Sequence, residues 1–234
     1  MLILSLDTSS AAGSAALVRD GAVLVERAGD GSRTHGQRLP RELMAVLDEA
    51  GAGLDDVDRF AVSIGPGSFT GLRVGIATIQ GLAMARRALV TPVSSFEALA
   101  WLARGTADAI AVWIDAHRGE VFATLFDGDG RTILQPATSL TPEATLDAWA
   151  ASLAARTRVR WTGDGALRYQ DAIAAGTRSR DGFEGAVPRL AGAIGLIAGA
   201  APERAVRPHA LVPLYVRRSD AELARDRRET APKT

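Results

Sequence analysis

Leu2-Ile3-Leu4-Ser5-Leu6-Asp7-Thr8-Ser9-Ser10 opens the chain as an apolar run that ends in an acid and a small-residue turn. A second apolar run, Ser14 to Val18, comes next, and Asp20-Gly21 separates it from Val23-Leu24-Val25. An Asp-Gly pair between two such runs is the strongest short-range hairpin signal, because both central residues of a type I′ turn need positive φ. The stretch therefore predicts a three-strand antiparallel meander. About a hundred residues later the pattern returns: Ile110 to Ile114, Asp115, then Val121 to Phe126, Asp127-Gly128-Asp129-Gly130 and Thr132-Ile133-Leu134. Asp7 stands 13 positions before Asp20, and Asp115 stands 12 before Asp127 and 14 before Asp129, which reads as a degenerate internal duplication.

The elements after each meander strengthen that reading. After the first come a helix from about Thr34 to Ala50, a strand from Arg59 to Ile64 and a helix from about Phe69 to Arg86. After the second come a helix from about Pro142 to Arg156, a strand from Val159 to Thr162 and a helix from about Gly165 to Ala175. Two α/β lobes of one plan facing each other across a cleft is the two-lobed actin-like ATPase (ASKHA) architecture. The expected division is an N-terminal lobe over 1–103, a hinge near Arg104 to Ala107, a reduced, Gly/Ala-rich C-terminal lobe over 108–216, and an exposed tail over 217–234 with six basic and four acidic residues. In the first helix Leu39, Leu43, Val46, Leu47 and Ala50 line one face, and Thr34 with Gln37 resembles a capping box. Pro40 sits awkwardly, since an interior proline removes a backbone hydrogen bond, and it argues for a regular helix starting closer to Leu39.

Composition narrows the function classes. The 234 residues are 47% hydrophobic and 23% charged, an ordinary globular balance that excludes disordered, collagen-like and coiled-coil chains. Lys plus Arg and Asp plus Glu number 27 each, so no global field favours a polyanion. With no cysteine, disulfides, thiolate zinc sites, iron–sulfur clusters and a cysteine nucleophile drop out. The amino terminus lacks a basic leader and the longest apolar stretch, Leu190 to Ala201, is too short for a bilayer, so the expectation is a cytoplasmic protein with no membrane partner.

The most informative segment for chemistry is Ser63-Ile64-Gly65-Pro66-Gly67-Ser68-Phe69-Thr70-Gly71-Leu72-Arg73, a strand emptying through a glycine-rich turn into a helix. Glycines let backbone approach a neighbour closely, and the exposed amides of a helix start form an anion site, so phosphate or a neighbouring backbone suits the turn; a plain tight turn is the alternative. The spacing is neither Walker A nor G-x-G-x-x-G. Gly71, Gly75 and Gly81 with Ala77, Ala83 and Ala85 give the helix a small-residue surface for close packing, within the chain or across an interface. Asp7 beside Thr8, Ser9 and Ser10 stands where an actin-like ATPase places a metal-water ligand and hydroxyls near phosphate, or else caps a turn. Asp115 and Glu120 occupy the equivalent place in the second lobe, and Gly163-Asp164-Gly165-Ala166 suits either an adenosine contact or a turn. His35, His117 and His209 have no helical metal-site spacing, and no G-x-S-x-G elbow exists, so no metal and no catalytic residue are assigned.

The opening ILSLDTSSAAGSAAL, the block SIGPGSFTGLRVGIATIQGLA over Ser63 to Ala83, PVSSFEALA over Pro92 to Ala100, DAHRGEVFATLF over Asp115 to Phe126 and PLYVRR over Pro213 to Arg218 resemble the TsaB (YeaZ) family, the dimerisation subunit of the bacterial tRNA threonylcarbamoyladenosine machinery. The resemblance implies a non-catalytic subunit that pairs with its paralogue TsaD, joined by the small ATPase TsaE. TsaD places the threonylcarbamoyl group on the adenosine 3′ of the anticodon in tRNAs reading codons that begin with A, so tRNA is an indirect partner. It places Ser95 and Leu99 where the catalytic paralogue has its metal-binding histidines, and neither replaces an imidazole. It implies Leu39, Leu43, Val46, Leu47, Leu72, Gly75, Ile76 and Ile79 as residues of a four-helix contact with TsaD, or of a homodimer without it, though each also suits a core. Asp7, Gly65 and Gly67 are then vestigial nucleotide-binding positions, with no cofactor in this chain or ATP or ADP at the interface with the partner. The rival reading is an independent ATP-binding phosphotransferase or ATPase of the same fold.

Overall fold

The computed structural model describes residues 1–177, 182–183 and 186–217; the expected tail lies outside the described residues except for Arg217. Strands β1 (Leu2–Asp7), β2 (Ser14–Arg19) and β3 (Ala22–Ala28) form the predicted meander, and Asp20 and Gly21 both take positive φ, 50° and 81°, as the hairpin demands. Helix α1 (His35–Glu49), strand β4 (Arg59–Ser63), helix α2 (Phe69–Arg86) and strand β5 (Leu89–Val93) complete a sheet in the order β3-β2-β1-β4-β5. After helix α3 (Ser95–Ala103) the plan repeats with β6 (Ala109–Asp115), β7 (Val121–Asp127), β8 (Ile133–Leu140), α4 (Pro142–Ala154), β9 (Val159–Thr162), the short α5 (Asp164–Arg168) and α6 (Gln170–Gly176), and β10 (Gly182–Phe183). The second sheet runs β10-β9-β6-β7-β8, which has the connectivity and the parallel or antiparallel sense of the first at every pair. The duplication is a property of the backbone.

Local departures have local causes. Helix α1 starts at His35 rather than near Leu39, with Gln37 Oε1 accepting from the Thr34 N–H at 3.3 Å. Pro40 is tolerated because it and Gly36, whose carbonyl loses its helical partner, lie on the exposed face, where that oxygen is open to solvent. The expected helix over Gly165 to Ala175 is instead two, broken at Tyr169, whose φ of −110° and ψ of 25° leave the helical region. Pro136 sits within β8, which is admissible because β8 is an edge strand.

The lobe boundary also differs from expectation. The chain does not stay in the second lobe to residue 216: helix α7 (Ala191–Ala200) packs on β1, β2, β3 and β4, and Val206 bridges Val90 of β5. Conversely α3, which closes the first lobe in sequence, packs on β6 and β9. Ser14 Oγ accepts from the Leu190 and Ala191 N–H groups at 3.2 and 3.0 Å, and Glu26 accepts from Gly192 N–H at 2.7 Å, so the first sheet caps the start of α7. An apolar layer of Phe96, Leu99, Leu190, Ile194 and Ile197 therefore joins the inner faces of both sheets. Outside it, α1 and α2 cover the first sheet and a Trp113–Trp149–Trp161 cluster fills the second lobe.

Glycines set how closely helices meet strands at the cleft. A Cβ on Gly71 would stand 2.3 Å from the Thr8 carbonyl oxygen, and one on Gly165 2.8 Å from the Ile114 carbonyl carbon at the matching place in the second lobe. Gly81 has open space instead. Gly71→Ala is expected to lower unfolding stability by roughly 1–3 kcal/mol through overpacking, whereas Gly81→Ala should raise it by up to about 1 kcal/mol through helix propensity. Urea unfolding of the two variants checks the contrast.

Candidate functional site

Both lobes bring their first strand, hairpin corner and following helix start to one end of the molecule. In the first lobe Asp7 ends β1 with its side chain only 3% exposed, and Oδ1 accepts the Ser9 N–H at 2.9 Å. Burial pushes the Asp7 carboxyl above the usual range, partly opposed by the hydrogen bonds from Ser9 and Ser63. The glycine turn lies directly on the loop after β1: Ser68 N–H donates to the Ser9 carbonyl at 2.7 Å, and a Cβ on Gly67 would stand 2.4 Å from that oxygen. Gly65, at φ 103°, has Leu72 and the Leu214 carbonyl against it. Of the two neighbours that suited the turn, phosphate or backbone, the chain's own backbone takes the place.

The loop is held from its other side by residues that the sequence pattern did not single out. Arg38 is 4% exposed, and its Nη2 donates to the carbonyls of Ala11 and Ala12 at 2.9 and 2.6 Å while Nη1 meets Glu42 at 2.5 Å. His35 Nε2 lies 3.1 Å from the Ser10 carbonyl, and its Nδ1 lies 2.7 Å from Arg38 Nη2. That pairing requires the tautomer with the proton on Nε2. Burial, then the Arg38 charge, lowers the His35 pKa below its ordinary value, which suits a neutral ring accepting from a guanidinium. The legible signal was Arg38 and Glu42 four residues apart.

The second lobe uses its acids in the same internal way. Asp164 Oδ1 accepts the N–H groups of Asp115 and Gly165, both at 2.9 Å, so it ties the end of β6 to α5, and burial raises its pKa. Asp115 accepts the His117 N–H at 3.0 Å and pairs with Arg168 at 2.8 Å. Glu120 meets Ser139 Oγ at 2.8 Å and Arg217 at 3.1 Å. Ser95 Oγ lies 2.9 Å from Ser63 Oγ, and Leu99 is in the central layer. Among the described residues no group of three or more His, Asp or Glu side chains is placed to hold a metal. A cavity of about 460 Å³ separates the Pro66–Thr70 turn from the Asp115–His117 corner, with Phe122 on its wall.

The residues expected at an interface go elsewhere. Leu39, Leu43, Val46, Leu47, Leu72, Gly75, Ile76 and Ile79 are all buried inside the first lobe, because the apolar stripe of α1 and the inner face of α2 are satisfied by the first sheet and by each other. A Cβ on Gly75 would strike Thr8 Oγ1 of the same chain. The opposite faces of these helices carry Pro40 and Met44 on α1 and Ala77, Gly81 and Met84 on α2, with Met44 45% and Met84 66% exposed.

Fold and site together define a two-lobed chain with the actin-like (ASKHA) fold, in which the glycine turn of the first lobe packs on the chain's own backbone at Ser9. The (R)-2-hydroxyglutaryl-CoA dehydratase component A of Acidaminococcus fermentans shares the fold at a TM-score of 0.53 and 13% identity, covering 87% of this chain and 99% of that one. Residues 28–152 match the family described as TsaD: tRNA N6-adenosine threonylcarbamoyltransferase. The solved structure YeaZ from Pseudomonas aeruginosa is 32% identical with a TM-score of 0.75, covering 92% of this chain and 99% of that one. The tRNA threonylcarbamoyladenosine biosynthesis protein TsaB of Escherichia coli (strain K12) is 36% identical over 132 residues, 55% of this chain and 56% of that protein. The chain belongs to the TsaB (YeaZ) family, and its matches to the curated TsaB proteins span about half the length of those proteins. No helix among the described residues is long and apolar enough to cross a membrane.

The buried acid gives a pH test. A carboxyl whose folded pKa lies above its unfolded value adds stability at low pH and loses it as pH rises through the folded pKa. Asp7→Asn, which keeps the acceptor for Ser9 N–H, is therefore expected to raise the melting temperature at pH 7–8 and to leave it near the parent value at pH 4. Calorimetric melts across that range check the sign.

Proposed function

We propose that this chain is a non-catalytic partner subunit in tRNA threonylcarbamoyladenosine biosynthesis, docking a TsaD-type subunit through the exposed faces of α1 and α2. The observation that carries the reading is the seating of the Gly67 turn on Ser9. That contact uses the turn for packing within the lobe and leaves an exposed Pro40, Met44, Ala77, Gly81 and Met84 surface. On this reading the chain holds no resident nucleotide of its own, and no chemical step is assigned to it. ATP or ADP, where it takes part, belongs to the surface shared with the partner.

On this reading the TsaD-type subunit carries out transfer to the adenosine 3′ of the anticodon, a TsaE-type ATPase joins the pair, and tRNA is engaged chiefly through the partner. The subunit acts by binding the transfer-competent state of its partner more tightly than the other, as any population shift requires. In the partner's absence the same surface supports a homodimer. A specific complex would bury roughly 800 Å² on each side.

Because Leu43 and Gly75 are core residues, a charge at either disrupts the lobe and says nothing of docking. Exposed positions separate the two effects. Gly81→Arg is expected to abolish co-elution with a TsaD-type subunit on size exclusion while unfolding stability stays equal or rises by up to about 1 kcal/mol, and Met44→Glu should weaken pairing with a stability change within about 0.5 kcal/mol. In a reconstituted transfer assay with TsaD, TsaE, threonylcarbamoyl-AMP and unmodified tRNA, yield should depend on the wild-type chain and fall with both variants. Full pairing and yield with both would remove this surface from consideration.

A further inference from the structure

Residues 211–217 run from the first lobe to the second across the mouth of the cleft, and both ends are tied down. Leu211 is buried in the first-lobe core, and Leu214 N–H donates to the Ile64 carbonyl at 2.7 Å. The Tyr215 ring lies 5.5 Å from that of Phe69, its hydroxyl accepts from Arg73 Nε at 3.1 Å, and the Arg73 guanidinium sits 3.9 Å over Phe69. On the far side Arg217 donates through Nη1 to Glu120 and through Nη2 to the Ala116 carbonyl, both at 3.1 Å. Its guanidinium lies 5.8 Å from the Phe122 ring centroid. Between these anchorages is the cavity that parts the Pro66–Thr70 turn from the Asp115–His117 corner, and residues 214–217 line it.

The corner reached by Arg217 is itself unusual. His117, Arg118 and Gly119 take successive positive φ values of 58°, 57° and 79°. Two consecutive non-glycine residues in the left-handed region are uncommon, and here turn bonds from Ala116 N–H to the Glu120 carbonyl and from Glu120 N–H to the His117 carbonyl accompany them. Arg217 grips the corner at both ends, at the Ala116 carbonyl before it and the Glu120 carboxylate after it.

We propose that residues 211–217 are an interlobe clasp, which fixes the angle between the lobes and holds the His117–Gly119 corner in its left-handed form. The bidentate reach of one guanidinium to a carboxylate and a carbonyl supplies directional hold on the second lobe. The Leu214–Ile64 backbone hydrogen bond and the Tyr215–Phe69–Arg73 stack supply it on the first. Breaking either end loosens both sides, because the segment is short, borders the cavity along residues 214–217, and between its two anchorages adds only the packing of Val216 on the central apolar layer.

Hydrogen exchange by mass spectrometry on the full chain tests this. Tyr215→Ala, whose named contacts are all on the first lobe, is expected to speed exchange of the Asp115–Phe122 corner at least fivefold. Arg217→Ala is expected to speed the same corner about tenfold and the Phe69–Arg73 turn at least threefold, with Arg217→Lys between it and the parent. Strands β1 and β6 should stay at parent rates, and Val212→Ala, at a side chain 69% exposed, should change nothing. Tyr215→Phe, which loses only the Arg73 bond, should give a smaller rise of the same sign if the alanine variant fails to fold. Effects confined to the side of the cleft that each variant touches would overturn the clasp.

Discussion

The close seating of α2 and its preceding turn on the end of β1 is the constraint on which most of the remaining structure rests. Gly67, Gly71 and Gly75 bring helix and turn so near Thr8 and Ser9 that a single Cβ at any of them meets backbone or side chain at 2.4 Å or less. Three features result together. The glycine turn is closed onto the loop after β1, Asp7 is buried beneath the contact, and the inner face of α2 becomes core. The close approach that these glycines allow is used for the chain's own packing, and the outward faces of α1 and α2 stay exposed. Arg38 and His35 complete the seal by holding the carbonyls of residues 10–12 from α1.

The duplication is carried by topology and varied in detail. Both sheets have one connectivity, and in each a glycine lets the following helix start against the first strand, Gly71 on Thr8 and Gly165 on Ile114. The first lobe has the 18-residue α2, while the second has α5 and α6 of five and seven residues. Exchange of α3 and α7 between lobes makes the central layer common property. The lobes are therefore joined as one packed unit at that layer and meet across a cavity at the cleft end.

Much of this was legible in the sequence because its signals are local. Asp20-Gly21 fixed a type I′ hairpin, and Phe69 to Arg86 and Val159 to Thr162 have the bounds that their patterns predicted. Long-range facts were not legible. Nothing local says that Leu190 to Ala201 crosses back to the first sheet, since an all-round apolar helix announces burial but not its neighbour. The glycine turn announced a close approach without saying to what, and Ser9 proved to be the answer. The stripe of α1 illustrates the commonest ambiguity: Leu39, Leu43, Val46 and Leu47 repeat at helical spacing whether they face a partner or a sheet, and here the sheet takes them. The role of Arg38 is not legible locally, because a buried arginine is identified by the carbonyls it reaches, which lie 26 and 27 residues away.

Calorimetric titration of the isolated chain with Mg-ATP and with ADP addresses the sealed first lobe most directly. A lobe closed on its own backbone predicts no saturable heat up to millimolar nucleotide and no rise in melting temperature. One equivalent of nucleotide bound at micromolar concentration, with a matching thermal shift, would mean that the Ser9–Gly67 contact opens to admit phosphate, and the account of this chain as a docking subunit without a nucleotide site would be wrong.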